Sequence, residues 1–345
     1  MDANNWNVYG HDWAVDHLRK SIAHGRIRHA YLFVGAESVG KETLARAFAM
    51  TLNCTNPDTQ PCGECSSCRR ILSGNHPDVL YTERESDTSA LKIEEIRTAI
   101  QRLALKPFEA RYRIAIFRDF DAAQPRAQDA LLKTLEEPAP HAILMLLARS
   151  LDAILPTITS RSQVIHLRPA PPVEISQMLV ETRGVDEPTA ALLARAGGGR
   201  VGWALRALDD PDLMAQREQA LNLLEEALTM NRAHRFDLAN DLSKDKAALL
   251  TLLELWQTYW RDAVLIATHA EVEPTNVDLR LRAGESHRAL SAGYDAGGAQ
   301  RHAPHAPDAD DQRHTRLALE VMFSIIPQYR KGRTAVRPFE IHRSA

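Results

Sequence analysis

The sequence predicts an α/β domain built on a parallel sheet, followed by helices alone. Three observations lead there. Apolar strand-like runs alternate with helical periodicity over the first 168 residues. A glycine-rich loop ending in lysine joins the first strand to a helix. Beyond Pro169-Ala-Pro-Pro172 only helical patterns recur. Strands that are apolar without alternation belong to parallel sheets covered on both faces.

The elements follow in order. Residues 30–34 form a short apolar run that stops at Gly35, a strand. Residues 41–52 place Leu44, Ala45, Phe48, Ala49 and Leu52 on one helical face. A second strand is predicted at 79–81. Ile93, Ile96, Ile100 and Leu103 keep i, i+3, i+4 spacing and mark a helix. Residues 113–117 and 142–148 read as buried strands, with a helix over 128–135 that Pro138 stops. Residues 163–167 make the last strand. The proline-rich stretch is a linker. A small helical unit with Gly197-Gly-Gly199 in a turn runs to about 208, and Asp209-Asp-Pro211 marks another boundary. Strong apolar periodicity returns over 221–228, 249–266 and 317–326. Three domains result: 1–168, 169–211 and 212–345. Residues 275–313 fit none of these patterns. They are rich in Ala, Gly, His and Asp, and His287, His302, His305 and His314 lie in or beside them. A solvated, partly disordered insertion is preferred there to a metal site.

Composition narrows the function. The chain has 345 residues, 44% apolar and 25% charged, with a net charge of −3, as in an ordinary soluble globular protein. That balance excludes wrapping nucleic acid by bulk basic charge. Aromatics at 6% exclude a base-stacking platform. The polar first ten residues lack the pattern of a signal peptide, and no apolar run could span a membrane, so a cytoplasmic location is expected.

Gly35-Ala-Glu-Ser-Val-Gly40-Lys41-Glu42-Thr43 lies between a strand and a helix, as a phosphate-binding loop requires. Its glycines let backbone N–H groups approach phosphates, and Lys41 would reach the β and γ phosphates. The residue after the lysine should carry a hydroxyl for Mg²⁺. Here it is Glu42, and Thr43 is one residue late, about 100° around the helix. The strand ending at 117 should lead into an acidic pair that holds Mg²⁺ and positions water. The sequence has Arg118-Asp119 instead, with Asp121 beyond. Two independent departures thus affect the same metal. Weak residual nucleotide binding and a relic loop kept for folding are both compatible with them, the relic being preferred. Arg118 could equally be a strand-end cap and Asp121 a turn residue.

All four cysteines, Cys54, Cys62, Cys65 and Cys68, fall within 15 residues. A structural Zn²⁺ with four thiolate ligands is the preferred reading. An iron–sulfur cluster has similar spacing, and disulfides would require export. With four protein ligands such a zinc has no open catalytic position.

Several strings then occur in a family's order: His29-Ala-Tyr-Leu-Phe33, the phosphate loop, the cysteine insertion, Ala130-Leu-Leu-Lys-Thr-Leu-Glu-Glu-Pro138 and Ser160-Arg161-Ser162. Together they resemble the bacterial clamp-loader subunits of DNA polymerase III, members of the AAA+ superfamily. The likeness covers about residues 8–210, and the remainder by helical character only. It implies a RecA-like AAA+ domain with an inserted zinc module at 54–68, a small helical lid, and an all-helical collar for oligomerisation. The family has a motor branch, gamma/tau, which hydrolyses ATP, and a stator branch, delta prime, whose nucleotide site has decayed. Glu42, Arg118, the stretch Ala148-Arg149-Ser150 in place of a polar sensor, and Gly202 where motors carry a lid arginine favour the stator branch. Arg200 lies one register away from that lid position. Ser160-Arg161-Ser162 matches the family's Ser-Arg-Cys motif, with Ser162 in place of cysteine. The resemblance therefore implies that Arg161 enters a neighbour's ATP site as an arginine finger. Alone, the arginine could equally pair with a local carboxylate. The implied partners are gamma/tau and delta subunits, the sliding clamp and, through the complex, primed DNA. ATP and Mg²⁺ would be held mainly by neighbouring subunits. The competing expectation is an ATP-hydrolysing motor that uses Lys41 and Asp119.

Overall fold

The computed structural model describes residues 5–82, 84, 89–267, 275 and 312–325. The chain divides into two compact units, Met1–Arg206 and Ala207–Ala345.

The first unit opens with helix α1 (Asp12–Ala23) and strand β1 (Ala30–Val34), followed by α2 (Lys41–Asn53), α3 (Ser66–Leu72) and β2 (Val79–Thr82). Next come α4 (Ile93–Leu103), β3 (Arg113–Phe117), α5 (Pro125–Asp129), α6 (Leu132–Glu136) and β4 (Ala142–Ala148). Helix α7 (Pro156–Thr159) leads to β5 (Gln163–His166). The five strands form one sheet in the order β2-β3-β4-β1-β5, and every pairing is parallel. The parallel reading of the apolar runs is therefore correct.

Alternate residues of each strand face opposite layers, because side chains in a strand have a period of two. Tyr31, Phe33, Ile114, Ile116, Ile143 and Met145 pack with Leu44 and Phe48 of α2. Leu32, Ala115, Phe117, Leu144 and Leu146 pack on the other face with Ile96 and Leu103 of α4 and with Leu131 and Leu135. With both faces of β1 and β4 covered, neither strand keeps an exposed position, which is why their runs do not alternate. Tyr31 and Phe48 meet edge to face with ring centres 4.9 Å apart. Truncating a buried ring such as Phe48 to alanine costs about 3–5 kcal/mol.

One element differs from expectation. The helix anticipated over 128–135 is two short ones, α5 and α6. Between them Leu131 N donates to Gln128 O at 3.0 Å, a tight three-residue step. Gln128 is buried there, and its side chain binds Ala123 O, Ala153 O and Leu155 N. Satisfying that amide with loop backbone outweighs an unbroken helix.

Helices α8 (Pro172–Arg183), α9 (Glu187–Ala196) and α10 (Val201–Asp209) follow the proline-rich linker. The second unit holds α11 (Asp212–Thr229), α12 (Arg232–Leu242), α13 (Lys246–Ala267) and α14 (Gln312–Ile325). Its core contains Leu221, Leu224, Trp256, Tyr259 and Phe323. Arg235 is buried in this unit and donates to Ala227 O, Leu228 O and Phe323 O at 2.8–3.0 Å. Its guanidinium thereby satisfies carbonyls that the helix ends leave unpaired. The anomalous stretch 275–313 lies outside the described residues, apart from Thr275 and 312–313. Among the described residues no helix is long and apolar enough to cross a membrane.

Candidate nucleotide and metal sites

In a parallel sheet all strand C-termini open at one edge. The register sets Val34 beside Ala148 and Phe117 beside Leu146. The phosphate loop after β1 therefore meets the residues that follow β3 and β4. Gly40 has φ +111° and caps α2, a conformation that only glycine adopts without strain.

The polar groups of this loop are engaged by the chain itself. Lys41 Nζ donates to Gly35 O at 2.6 Å and to Ala36 O at 2.8 Å. Burial, partly opposed by Asp121, holds its ammonium below the usual lysine range. Arg149 Nη2 pairs with Glu37 at 2.9 Å. His11 Nε2 lies 2.8 Å from Val39 O. Ser38 O accepts from Gly202 N at 2.8 Å, and Ser38 Oγ accepts from Arg206 at 2.6 Å, so α10 lies on the loop.

Glu42 does not sit as a free carboxylate. Its Oε1 accepts from Arg118 Nη2 at 2.6 Å and also from Arg46. The Arg118 guanidinium lies over the Tyr81 ring, 4.8 Å from its centre. Thr43 is exposed, as its rotation around the helix requires. Asp119 takes a left-handed conformation, and its Oδ2 accepts from Arg84 at 3.0 and 3.2 Å. Glu42, Arg118 and Asp119, at the positions where a P-loop keeps its hydroxyl and acidic pair, thus stand in two ion-pair clusters. These residues do not fit a P-loop Mg²⁺.

Arg161 follows α7 and is exposed. Its guanidinium pairs with Glu136 at 3.0 Å and donates to Thr157 O at 3.1 Å. Ser160 Oγ donates to Thr157 O at 3.2 Å. Glu136 belongs to the Leu-Glu-Glu-Pro string, so two of the sequence motifs meet here. Sequence reasoning missed Arg46, Arg84 and Arg206. Only Arg46 had a signal, its i+4 spacing from Glu42.

The four cysteine thiols are free and lie within 4.8 Å of one another. Cys54 Sγ is 3.6 Å from Cys62 Sγ, which is 4.0 Å from Cys68 Sγ. Ligands on a tetrahedral ion with Zn–S of about 2.3 Å stand about 3.8 Å apart, so the donor set fits zinc. Cys65 caps α3, and its Sγ accepts from Cys68 N at 3.4 Å; Cys62 Sγ accepts from Cys65 N at 3.3 Å. Burial raises the thiols of Cys54 and Cys68. At Cys65 burial is outweighed by the backbone N–H groups of Cys68 and Thr55, which bring it down to about 6.

Sheet, loop and strand-end residues define the class, a P-loop α/β protein in which Glu42 and Arg118 form an ion pair beside the loop. A family model described as DNA polymerase III, delta subunit, matches residues 10–171. Among curated relatives, the chain is 33% identical to the DNA polymerase III subunit tau/gamma of Haemophilus influenzae, over 64% of this chain and 33% of that one. It is 31% identical to the tau subunit of Escherichia coli, over 68% and 40%. It is 29% identical to the subunit delta' of Bacillus subtilis, over 72% and 75%. Over residues 10–171 the chain matches the clamp-loader family of DNA polymerase III subunits. It spans a third to two fifths of the tau-type relatives' length, and three quarters of the delta' relative. Solved structures with similarity include a gamma subunit-related protein of Thermotoga maritima, at TM-score 0.35 and 16% identity over 89% of this chain and 98% of that one. The RuvB branch-migration motor of the same organism matches at TM-score 0.39 and 13% identity, over 63% and 64%.

Proposed function

We propose that the chain is a delta-prime-type stator of the DNA polymerase III clamp loader, within a three-domain AAA+ plan of RecA-like domain, lid and collar. One observation supports this above the others: Arg118 and Glu42 form an ion pair across the corner where a P-loop ATPase keeps Mg²⁺. The stator would help load the sliding clamp onto primed DNA in a complex with gamma/tau and delta subunits. It would turn over little ATP itself. Arg161 would serve as an arginine finger, exchanging exposed Glu136 for the phosphates in a neighbour's site. A cation supplied in trans stabilises charge on the transferring phosphoryl group. Zn²⁺ held by Cys54, Cys62, Cys65 and Cys68 would supply structure to the insertion and no chemistry. Similarity to tau/gamma relatives favours a second reading, a motor that hydrolyses ATP with Lys41 and Asp119.

Reconstituted clamp loader separates the two. In a stator, Lys41→Ala leaves ATP turnover nearly unchanged, Arg161→Ala lowers it strongly, and Glu136→Gln, which keeps the guanidinium, retains it. Equal loss from Lys41→Ala and Arg161→Ala would establish the motor instead.

A further inference from the structure

Two of the four thiols, those of Cys65 and Cys68, are placed by helix α3, which has only seven residues. A helix this short has little stability of its own, so its position depends on what it is tied to. Ile71 anchors its last turn in the core of the first unit. Its first turn is tied by a polar contact. Ser67 stands between the two cysteines, is buried, and meets the ring of His76. The His76 side chain is fully buried just before β2, the edge strand of the sheet. Its Nδ1 accepts from Asp78 N at 3.1 Å, which assigns the ring proton to Nε2. Nε2 lies 3.1 Å from Ser67 Oγ and donates to it. The other acceptor facing the ring, Glu109 Oε1, is 3.7 Å from Nε2, beyond hydrogen-bond range, and pairs with Arg70. Asp78 is itself held by the N–H groups of residues 108–110.

We infer that His76 is a positioning residue for the metal site. It is not one of the four ligands. Acting through Ser67, it locks the first turn of α3 to the sheet edge and so sets where the Cys65 and Cys68 sulfurs lie relative to those of Cys54 and Cys62. A buried hydrogen bond with both partners fixed holds this geometry more firmly than an exposed one would. Groups outside a ligand set that orient the ligands change metal affinity about 10–100-fold when removed. This inference rests on the zinc reading of the four cysteines and is independent of how the phosphate loop is read.

Zinc release from the full chain into an excess of a coloured chelator tests it. His76→Asn keeps an acceptor for Asp78 N but is too short to reach Ser67, and Ser67→Ala removes the other partner with little loss of volume. Each is expected to release zinc about tenfold faster than wild type. The double variant should release it no faster than either alone, because the same bond is broken in all three. His76→Gln, whose amide nitrogen reaches Ser67, should return the rate to near wild type. Cobalt-loaded protein gives a second readout: its visible ligand-field bands shift in His76→Asn and Ser67→Ala and keep their wild-type form in His76→Gln. Should His76→Asn fail to fold, Ser67→Ala decides by itself. Wild-type release from Ser67→Ala, additive effects in the double variant, or a His76→Gln no better than His76→Asn overturns the inference alone. Wild-type protein that holds no zinc overturns the zinc reading and the inference together.

Discussion

Arg118 Nη2 lies 2.6 Å from Glu42 Oε1. The two residues are 76 positions apart, and each alone reads as damage to a metal site. Together they are complementary. Glu42 is an anion where a P-loop motif places a hydroxyl, and Arg118 is a cation where it places a carboxylate. Arg46 adds a second positive group to the same oxygen, and Tyr81 supports Arg118 from below.

The pair is partly exposed, at 30% for Arg118 and 36% for Glu42, so its contribution to stability is modest, about 0–1 kcal/mol. Its effect on ligands is larger. Replacing both residues, Glu42→Thr with Arg118→Asp, returns a hydroxyl and a carboxylate to the metal corner. The double variant is expected to bind a fluorescent ATP analogue more tightly than wild type in Mg²⁺, with the gain erased by EDTA. Equal affinity for wild type and variant would show that the Glu42–Arg118 pair is not what keeps Mg²⁺-nucleotide out.

Zinc analysis gives a second test. One zinc per chain is expected, and Cys62→Ser should lose it together with thermal stability. A visible charge-transfer band from the purified chain would point to an iron–sulfur cluster instead.

Asp78 is fully buried and accepts from Phe108 N, Glu109 N and Ala110 N at 2.7–3.0 Å. Burial would raise its carboxyl, but these donors and Arg113 outweigh burial and hold it below the usual carboxylate range. Asp78→Ala orphans all three donors and should cost about 2–4 kcal/mol in urea unfolding. A carboxyl depressed on folding stabilises above its unfolded value and loses that stability as pH falls through the folded one. The gap between wild type and Asp78→Asn should therefore be widest at neutral pH and close below the ordinary carboxylate range. A gap that is constant with pH would remove the charge from this account.

Gly202 carries the contact between α10 and the phosphate loop. A Cβ built there would lie 2.9 Å from Ser38 O, a backbone atom that cannot rotate aside. Gly202→Ala should destabilise the first unit by about 1–3 kcal/mol. An arginine there would require α10 to move away from the loop. Thermal melts of both variants against Arg206→Ala, which removes only the Ser38 hydroxyl contact, measure the difference.

The strands and α2 were legible because apolar periodicity is a local property. The pattern of 113–117 and 142–148 names the buried strands residue for residue. The helix over 128–135 was misjudged because its break serves Gln128, whose partners at Ala123, Ala153 and Leu155 lie in loops on both sides. The cysteine spacing foretold a cluster, and the thiols do converge. Glu42 and Arg118 were both singled out, yet nothing in their spacing paired them. Arg84 and Arg206 carried no signal, since neither lies near Asp119 or Ser38 in sequence.

By itself the sequence determined the layered α/β plan, the phosphate loop, the cysteine cluster and the family, because each is written in local spacing or in short strings. Tertiary structure alone decided what the altered residues do. The parallel sheet gathers the ends of β1, β3 and β4 at one edge, and α10 lies over the loop between β1 and α2. Electrostatic pairing acts across space, so a Glu42 that reads as a defect in its loop is a satisfied partner of Arg118 in the fold.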